Sequence, residues 1–132
     1  MAEDAGKELE KDVSGKELEV LQALWEKGTL TRRQITDVLY PGGGPAHYTT
    51  VQKLLERLEE KGCVRSRLQG NVRLFTATVR REQLIRHRLR DVADKLCGGS
   101  LTPLLMNLVR EGGLSEAELK ELRQLIRRHS SR

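Results

Sequence analysis

The stretch His47–Val64 reads HYTTVQKLLERLEEKGCV. Within it Val51, Leu54, Leu55 and Leu58 recur at i, i+3, i+4 and i+7, which is the apolar stripe of one helix. The opposite face carries Thr50, Gln52, Lys53, Glu56 and Arg57, side chains that hydrogen-bond or carry charge. The spacing predicts a helix beginning near Tyr48 or Thr49, capped by His47 or Thr49, and ending at Lys61-Gly62. Directly after it the period drops from helical to two. Val64, Ser66 and Leu68 alternate with Arg65, Arg67 and Gln69, and Val72, Leu74 and Thr76 alternate with Arg73, Phe75 and Ala77. Gly70-Asn71 between them is a two-residue turn, so the pair reads as a β-hairpin with a basic tip.

Upstream, two shorter helices share one start signal. Ser14 with Glu17, and Thr31 with Gln34, each form a capping box, flanked by the staples Val13/Leu18 and Leu30/Ile35. Leu18, Leu21, Leu24 and Trp25 line the first helix, which Gly28 ends; Ile35, Val38 and Leu39 form the buried stripe expected of the second. Pro41 and the run Gly42 to Pro45 forbid its continuation. Three helices followed by a basic hairpin is the order of a winged helix-turn-helix, so the fold class expected is mainly α.

Downstream the pattern is helical again. Ile85, Leu89, Val92 and Leu96 step by four, three and four along a helix over 80–97, a coiled-coil-like seam. Gly98-Gly99 stops it. Thr102-Pro103 opens a short helix with Leu104, Leu105, Leu108 and Val109, and Ser115 with Glu118 caps a last one lined by Leu119, Leu122, Leu125 and Ile126. Three leucine-rich helices this short have too little chain to bury their apolar faces alone, which points to pairing with a second copy. The expected division is an acidic tail over 1–12, a winged helix over 13–79 and a helical dimerisation region over 80–132.

Composition narrows the function. The chain of 132 residues carries a net charge of +5; residues 1–13 contribute −3 and the rest +8. A basic body favours a polyanionic partner, nucleic acid first. No apolar run approaches the ~20 residues of a membrane span, and the acidic N-terminus has no apolar core of a signal peptide, so a cytoplasmic protein is expected with no membrane partner. Cys63 and Cys97 have no metal-ligand spacing, and His47, His87 and His129 fall in three different segments, away from any triad or metal arrangement. Neither an enzyme nor a bound metal or other cofactor is expected.

The hairpin and third helix suit DNA. An α-helix fits the major groove, where base edges present a distinguishable donor and acceptor pattern, while wing cations beside it hold phosphates. From 45 to 80 the cations Lys53, Arg57, Lys61, Arg65, Arg67, Arg73 and Arg80 face only Glu56, Glu59 and Glu60. On pattern alone, a winged helix that binds proteins, as an adaptor, stays open beside DNA binding, as does a regulator switched by redox state at Cys97 or by a ligand.

The runs SGKELEVLQALW (Ser14–Trp25), HYTTVQKLLERLEEKGCV (His47–Val64), LCGGSLTPLLMNLV and LSEAELKELRQLI are separate, ordered motifs that resemble the penicillinase-repressor family, the BlaI/MecI type. The resemblance covers about residues 13 to 127. It implies a repressor that binds palindromic double-stranded operator DNA as a homodimer, with antibiotic resistance as the family's setting. By position, Tyr48, Thr49, Thr50, Lys53 and Arg57 would face DNA, with Arg67 and Arg73 on the wing; Gln52 and Asn71 join them from the helix face and hairpin tip. Ile85, Leu89, Val92, Leu96, Leu104, Leu105, Leu108, Leu119, Leu122 and Ile126 would form the dimer interface. Induction in that family involves a sensor-linked protease cutting an Asn-Phe bond; the matching bond here is Asn107-Leu108, with Leu in place of Phe. Two departures stand out. The insert from Gly42 to Pro45 is expected to alter how the reading helix is presented, and the cysteine-rich C-terminal motif of the family's copper-responsive branch is absent.

Overall fold

A computed structural model describes residues 12–130; the acidic tail expected over 1–12 lies outside the described residues except for Asp12. The element order is α1 (Gly15–Lys27), β1 (Leu30–Thr31), α2 (Arg32–Leu39), α3 (Pro45–Glu60), β2 (Val64–Gln69), β3 (Val72–Ala77), α4 (Arg81–Leu96), α5 (Thr102–Arg110) and α6 (Glu116–Ser130). This is a winged helix-turn-helix followed by three helices, in a mainly α chain. The chain divides into two compact units, one running to His87 and one from Arg88 onward. That break falls inside α4, later than the division expected after residue 79, because Leu84 is buried in the core of the first unit.

Local hydrogen bonds set the helix starts. Ser14 Oγ accepts from the Glu17 N–H while Glu17 Oε1 accepts from the Ser14 N–H, and Thr31 with Gln34 repeats the exchange at α2. The third helix departs from expectation. It starts at Pro45 with Gly44 as N-cap, earlier than Tyr48 or Thr49, and neither His47 nor Thr49 caps it. Proline at the first helical position gives up an N–H that has no partner in the helix anyway, so the residue that ends one helix starts the next. The insert before it is tightly folded. The Gly43 N–H donates to Tyr40 O at 2.8 Å, and the Tyr40 and His47 rings lie 4.4 Å apart. A Cβ added at Gly43 would lie 2.8 Å from His47 Nδ1 and 2.9 Å from Tyr40 O, so glycine is required there.

The first unit buries Val20, Leu21 and Leu24 from α1, Ile35 from α2 and the whole stripe Val51, Leu54, Leu55 and Leu58 from α3. Val38 is not part of this core: it is 40% exposed, and Thr36 occupies the buried position instead, donating its hydroxyl to Arg32 O. β1 was not legible as a strand. It pairs antiparallel with β3 through Leu30–Phe75 and Thr31–Leu74, giving a three-stranded sheet in the order β1-β3-β2. Trp25 Nε1 donates to Val79 O at 2.9 Å, fastening α1 to the end of the wing. At the hairpin turn Gly70 adopts φ 65° while no non-glycine residue among the described residues has positive φ, as a turn with glycine first requires.

One charged pair lies in this core. Glu17 is 2% exposed and accepts from the Lys61 ammonium, which also donates to Asp12 O. Burial alone would raise the Glu17 carboxyl; the Lys61 hydrogen bond, the Ser14 N–H and the charges of Lys61 and Arg57 outweigh it and hold the group below the ordinary carboxylate range.

In the second unit Ala93 is the one buried hydrophobic among the described residues. No residue of α5 or α6 is buried. Ser115 and Glu118 form the third capping box. Cys63 is buried and Cys97 half-buried, both as thiols.

Candidate nucleic-acid interface

The stripe that buries α3 turns its other side outward. Thr49, Thr50, Gln52, Lys53 and Arg57 are all exposed, and Tyr48 is half-buried at the start of the same face. The two threonines are partly occupied: Thr49 Oγ1 donates to Pro45 O at 3.2 Å and Thr50 Oγ1 to Ala46 O at 3.0 Å. Their hydroxyl oxygens keep lone pairs that can accept from a base or water. Gln52 Nε2 reaches Glu56 Oε2 at 3.3 Å, one turn on. Lys53 lies between these residues, opposite the buried stripe. Arg57 sits toward the α1 flank, where its charge acts on Glu17. The expected contact residues are therefore on one helix but not on one line.

The wing separates the two arginines that the sequence groups together. Cross-strand partners share a face, and the register pairs Arg67 with Leu74 but Leu68 with Arg73. Arg73 consequently lies on the same face as Ser66 and Phe75, whereas Arg67 lies on the other. Arg73 Nη1 donates to Ser66 Oγ at 3.0 Å, and Ser66 Oγ donates to Glu59 Oε2 at 3.1 Å, so this guanidinium is tied to α3 through the hydroxyl. Asn71 is exposed at the tip, beside Leu68 and Val72, which are 63% and 47% exposed.

Two cations that the sequence reading passed over stand next to this face. Arg32 Cζ lies 4.2 Å from the Tyr48 ring centroid and Arg33 Cζ 5.8 Å, both within cation–π range. They open α2 and meet a residue fifteen or sixteen positions away across the Gly42–Pro45 turn, so no local periodicity reveals them. Among the described residues no group of three or more His, Cys, Asp or Glu could hold a metal ion, and no helix is long and apolar enough to cross a membrane.

The residues expected to pair two copies are exposed or partly buried. Ile85 is 51% exposed, Leu89 45%, Val92 37% and Leu96 79% along α4. Leu105, Leu108 and Ile126 are exposed on α5 and α6, and Leu104, Leu119 and Leu122 are half-buried. Asn107 is exposed beside Leu108 on α5.

The sequence resembles known proteins over most of its length. The sequence pattern of the penicillinase repressor family matches residues 13–128. A penicillinase repressor of Bacillus licheniformis is 24% identical over 120 residues, covering 91% of this chain and 93% of that protein. A penicillinase repressor of Staphylococcus aureus is 22% identical over 115 residues, covering 87% and 90%. Among solved structures, the PcaV transcriptional regulator of Streptomyces coelicolor, in complex with its natural ligand, is loosely similar, at 22% identity and a TM-score of 0.46 over 92% of this chain and 77% of that chain. With nearly its whole length matched, the chain belongs to the penicillinase repressor family, whose members are transcriptional repressors and not enzymes.

Proposed function

We propose that the protein is a cytoplasmic repressor that binds palindromic double-stranded operator DNA as a homodimer, residues 13–79 reading DNA and residues 80–132 joining two copies. The observation that supports this most is the exposed polar and cationic face of α3 beside a cationic wing, in a chain of this family. In this reading Thr49, Thr50, Gln52 and Lys53 meet base edges, Arg57 and Arg67 meet phosphates on the two flanks, and Asn71 and Arg73 hold the backbone beside the wing. The apolar faces left open on α4, α5 and α6 support pairing, which would set two reading helices about 34 Å apart, one turn of DNA. Release is proposed to follow a cut at Asn107-Leu108 by a sensor-linked protease. A cut in α5 would free α6 from the chain and split the layer holding Leu104, Leu105 and Leu108, so two linked half-site contacts would become two weak ones.

The experiment is selection of bound sequences from random double-stranded DNA by the full-length protein. An inverted repeat with half-sites one turn apart is expected. Enrichment of no sequence, with binding to proteins instead, would replace this reading with the adaptor.

A further inference from the structure

The groove between the start of α2 and the wing, about 540 Å³ in volume, is lined by Arg32, Arg33 and Arg73 and by no carboxylate. Tyr48 and Phe75 supply its aromatic wall, and Asn71 closes the side toward the wing tip. A neighbouring depression shares Arg32, Arg73 and Phe75 with this groove and adds Glu56 and Glu59 of α3. Among the described residues no carboxylate forms an ion pair with any of the three guanidiniums. Arg32 Nε is buried with no hydrogen-bond partner among the described residues. At the α2 N-terminus the capping box already occupies the N–H groups of Thr31 and Gln34, and the guanidinium side chains supply the charge that attracts an anion to this groove.

We infer that this groove seats the DNA backbone, with Arg32, Arg33 and Arg73 gripping phosphates of one strand and Tyr48 acting as the positioning residue that aligns Arg32 and Arg33. The inference rests on the DNA-binding function proposed for α3 and adds to it a role for Tyr48, which orients cations. Two guanidiniums stacked on one ring have fewer orientations to lose when they meet a phosphate, and their planar forks suit its oxygens as an ammonium does not. Arg73, held by Ser66 and Glu59, enters from the wing side with its position likewise fixed.

The test is a salt titration of full-length protein on its selected site and on a scrambled duplex of equal length. Arg32→Ala, Arg33→Ala and Arg73→Ala are each expected to weaken both duplexes by the same factor. Each should flatten the slope of log affinity against log salt by about 0.9 per half-site. Tyr48→Phe keeps the ring and is expected to keep the slope; Tyr48→Leu is expected to flatten it although every cation remains. Arg32→Lys is expected to fall below the parent protein. Circular dichroism melting of each variant separates loss of grip from loss of fold. Slopes unchanged in all three alanine variants, or a Tyr48→Leu loss confined to one base position, would overturn the inference while leaving the repressor reading intact. Tight binding of inorganic phosphate to the unliganded protein, unaffected by a DNA excess, would reassign the groove to a small anion. If the parent protein binds neither duplex, the DNA-binding reading itself falls and this one with it.

Discussion

The two compact units are both rich in leucine, yet they bury it very differently. In the first, Leu21, Leu55 and Leu58 lose essentially all contact with solvent, and the sheet covers what the helices leave open. In the second, Leu96 is 79% exposed, Leu108 51% and Ile126 49%, and Ala93 alone is buried among the described residues. Helix formation does not explain the contrast. The capping box of Ser115 and Glu118 is built like those of Ser14 and Thr31, with hydrogen bonds of 2.9 and 3.1 Å. What differs is whether the apolar face of each helix finds a partner within the chain. An amphipathic helix gains most of its stability from packing that face, so the second unit is the half that a second copy would complete.

Breaking each unit should therefore give different kinds of loss. The largest effect on stability is expected from Leu55→Ala, which empties a fully buried site and should cost about 2–5 kcal/mol. Its signature is a fall in melting temperature that does not depend on protein concentration. Leu89→Asp is next. It leaves the first unit's core untouched but places a charge in the proposed seam, so sedimentation should show a monomer and operator affinity should fall by ~10²-fold or more. A Leu89→Asp protein that stays dimeric would remove α4 from the interface.

Glu17→Gln sharpens the comparison inside the first unit. It keeps an oxygen that can accept from the Ser14 N–H but removes the negative charge opposite the Lys61 ammonium, whose side chain is 17% exposed and still donates to Asp12 O. A cost of about 2 kcal/mol is expected, below that of a fully buried pair broken outright because Lys61 keeps a partner and some hydration. The pH dependence follows from the lowered carboxyl: its contribution is complete above the ordinary carboxylate range and is lost as pH falls through the folded-state value, which lies below that range. Denaturant melts of parent and variant should thus differ near neutrality and converge in acid. The smallest effect is expected from Ser115→Ala, about 1 kcal/mol for one cap. It should appear in the concentration-dependent transition of the second unit, whereas Ser14→Ala should appear in the concentration-independent one.

What the sequence disclosed was local. Three capping boxes, the α3 stripe and the Gly70-Asn71 hairpin turn each depend on residues within a few positions, and all formed as expected. Features set by distant partners were hidden. The strand Leu30–Thr31 exists only through Phe75 and Leu74, far along the chain. The α3 start lies earlier than the apolar stripe suggests because proline, a breaker inside a helix, suits the first helical position. Periodicity puts Val38 inside, but α2 has only eight residues and packs through Ile35 and Thr36. At the candidate interface the α3 residues were legible from the face opposite the stripe. The placement of Arg32 and Arg33 on Tyr48 was not, because they reach it from another helix, whereas the separation of Arg67 from Arg73 follows from the two-residue turn that sets the register of the wing.

The central claim, that a second copy closes the open faces of α4 to α6, is tested most directly by sedimentation equilibrium of the full-length protein at micromolar concentration, alone and on its selected DNA. Closure by a second copy predicts twice the chain mass without DNA and two chains per inverted repeat with it. A single chain in free solution, binding one half-site at a time, would contradict it.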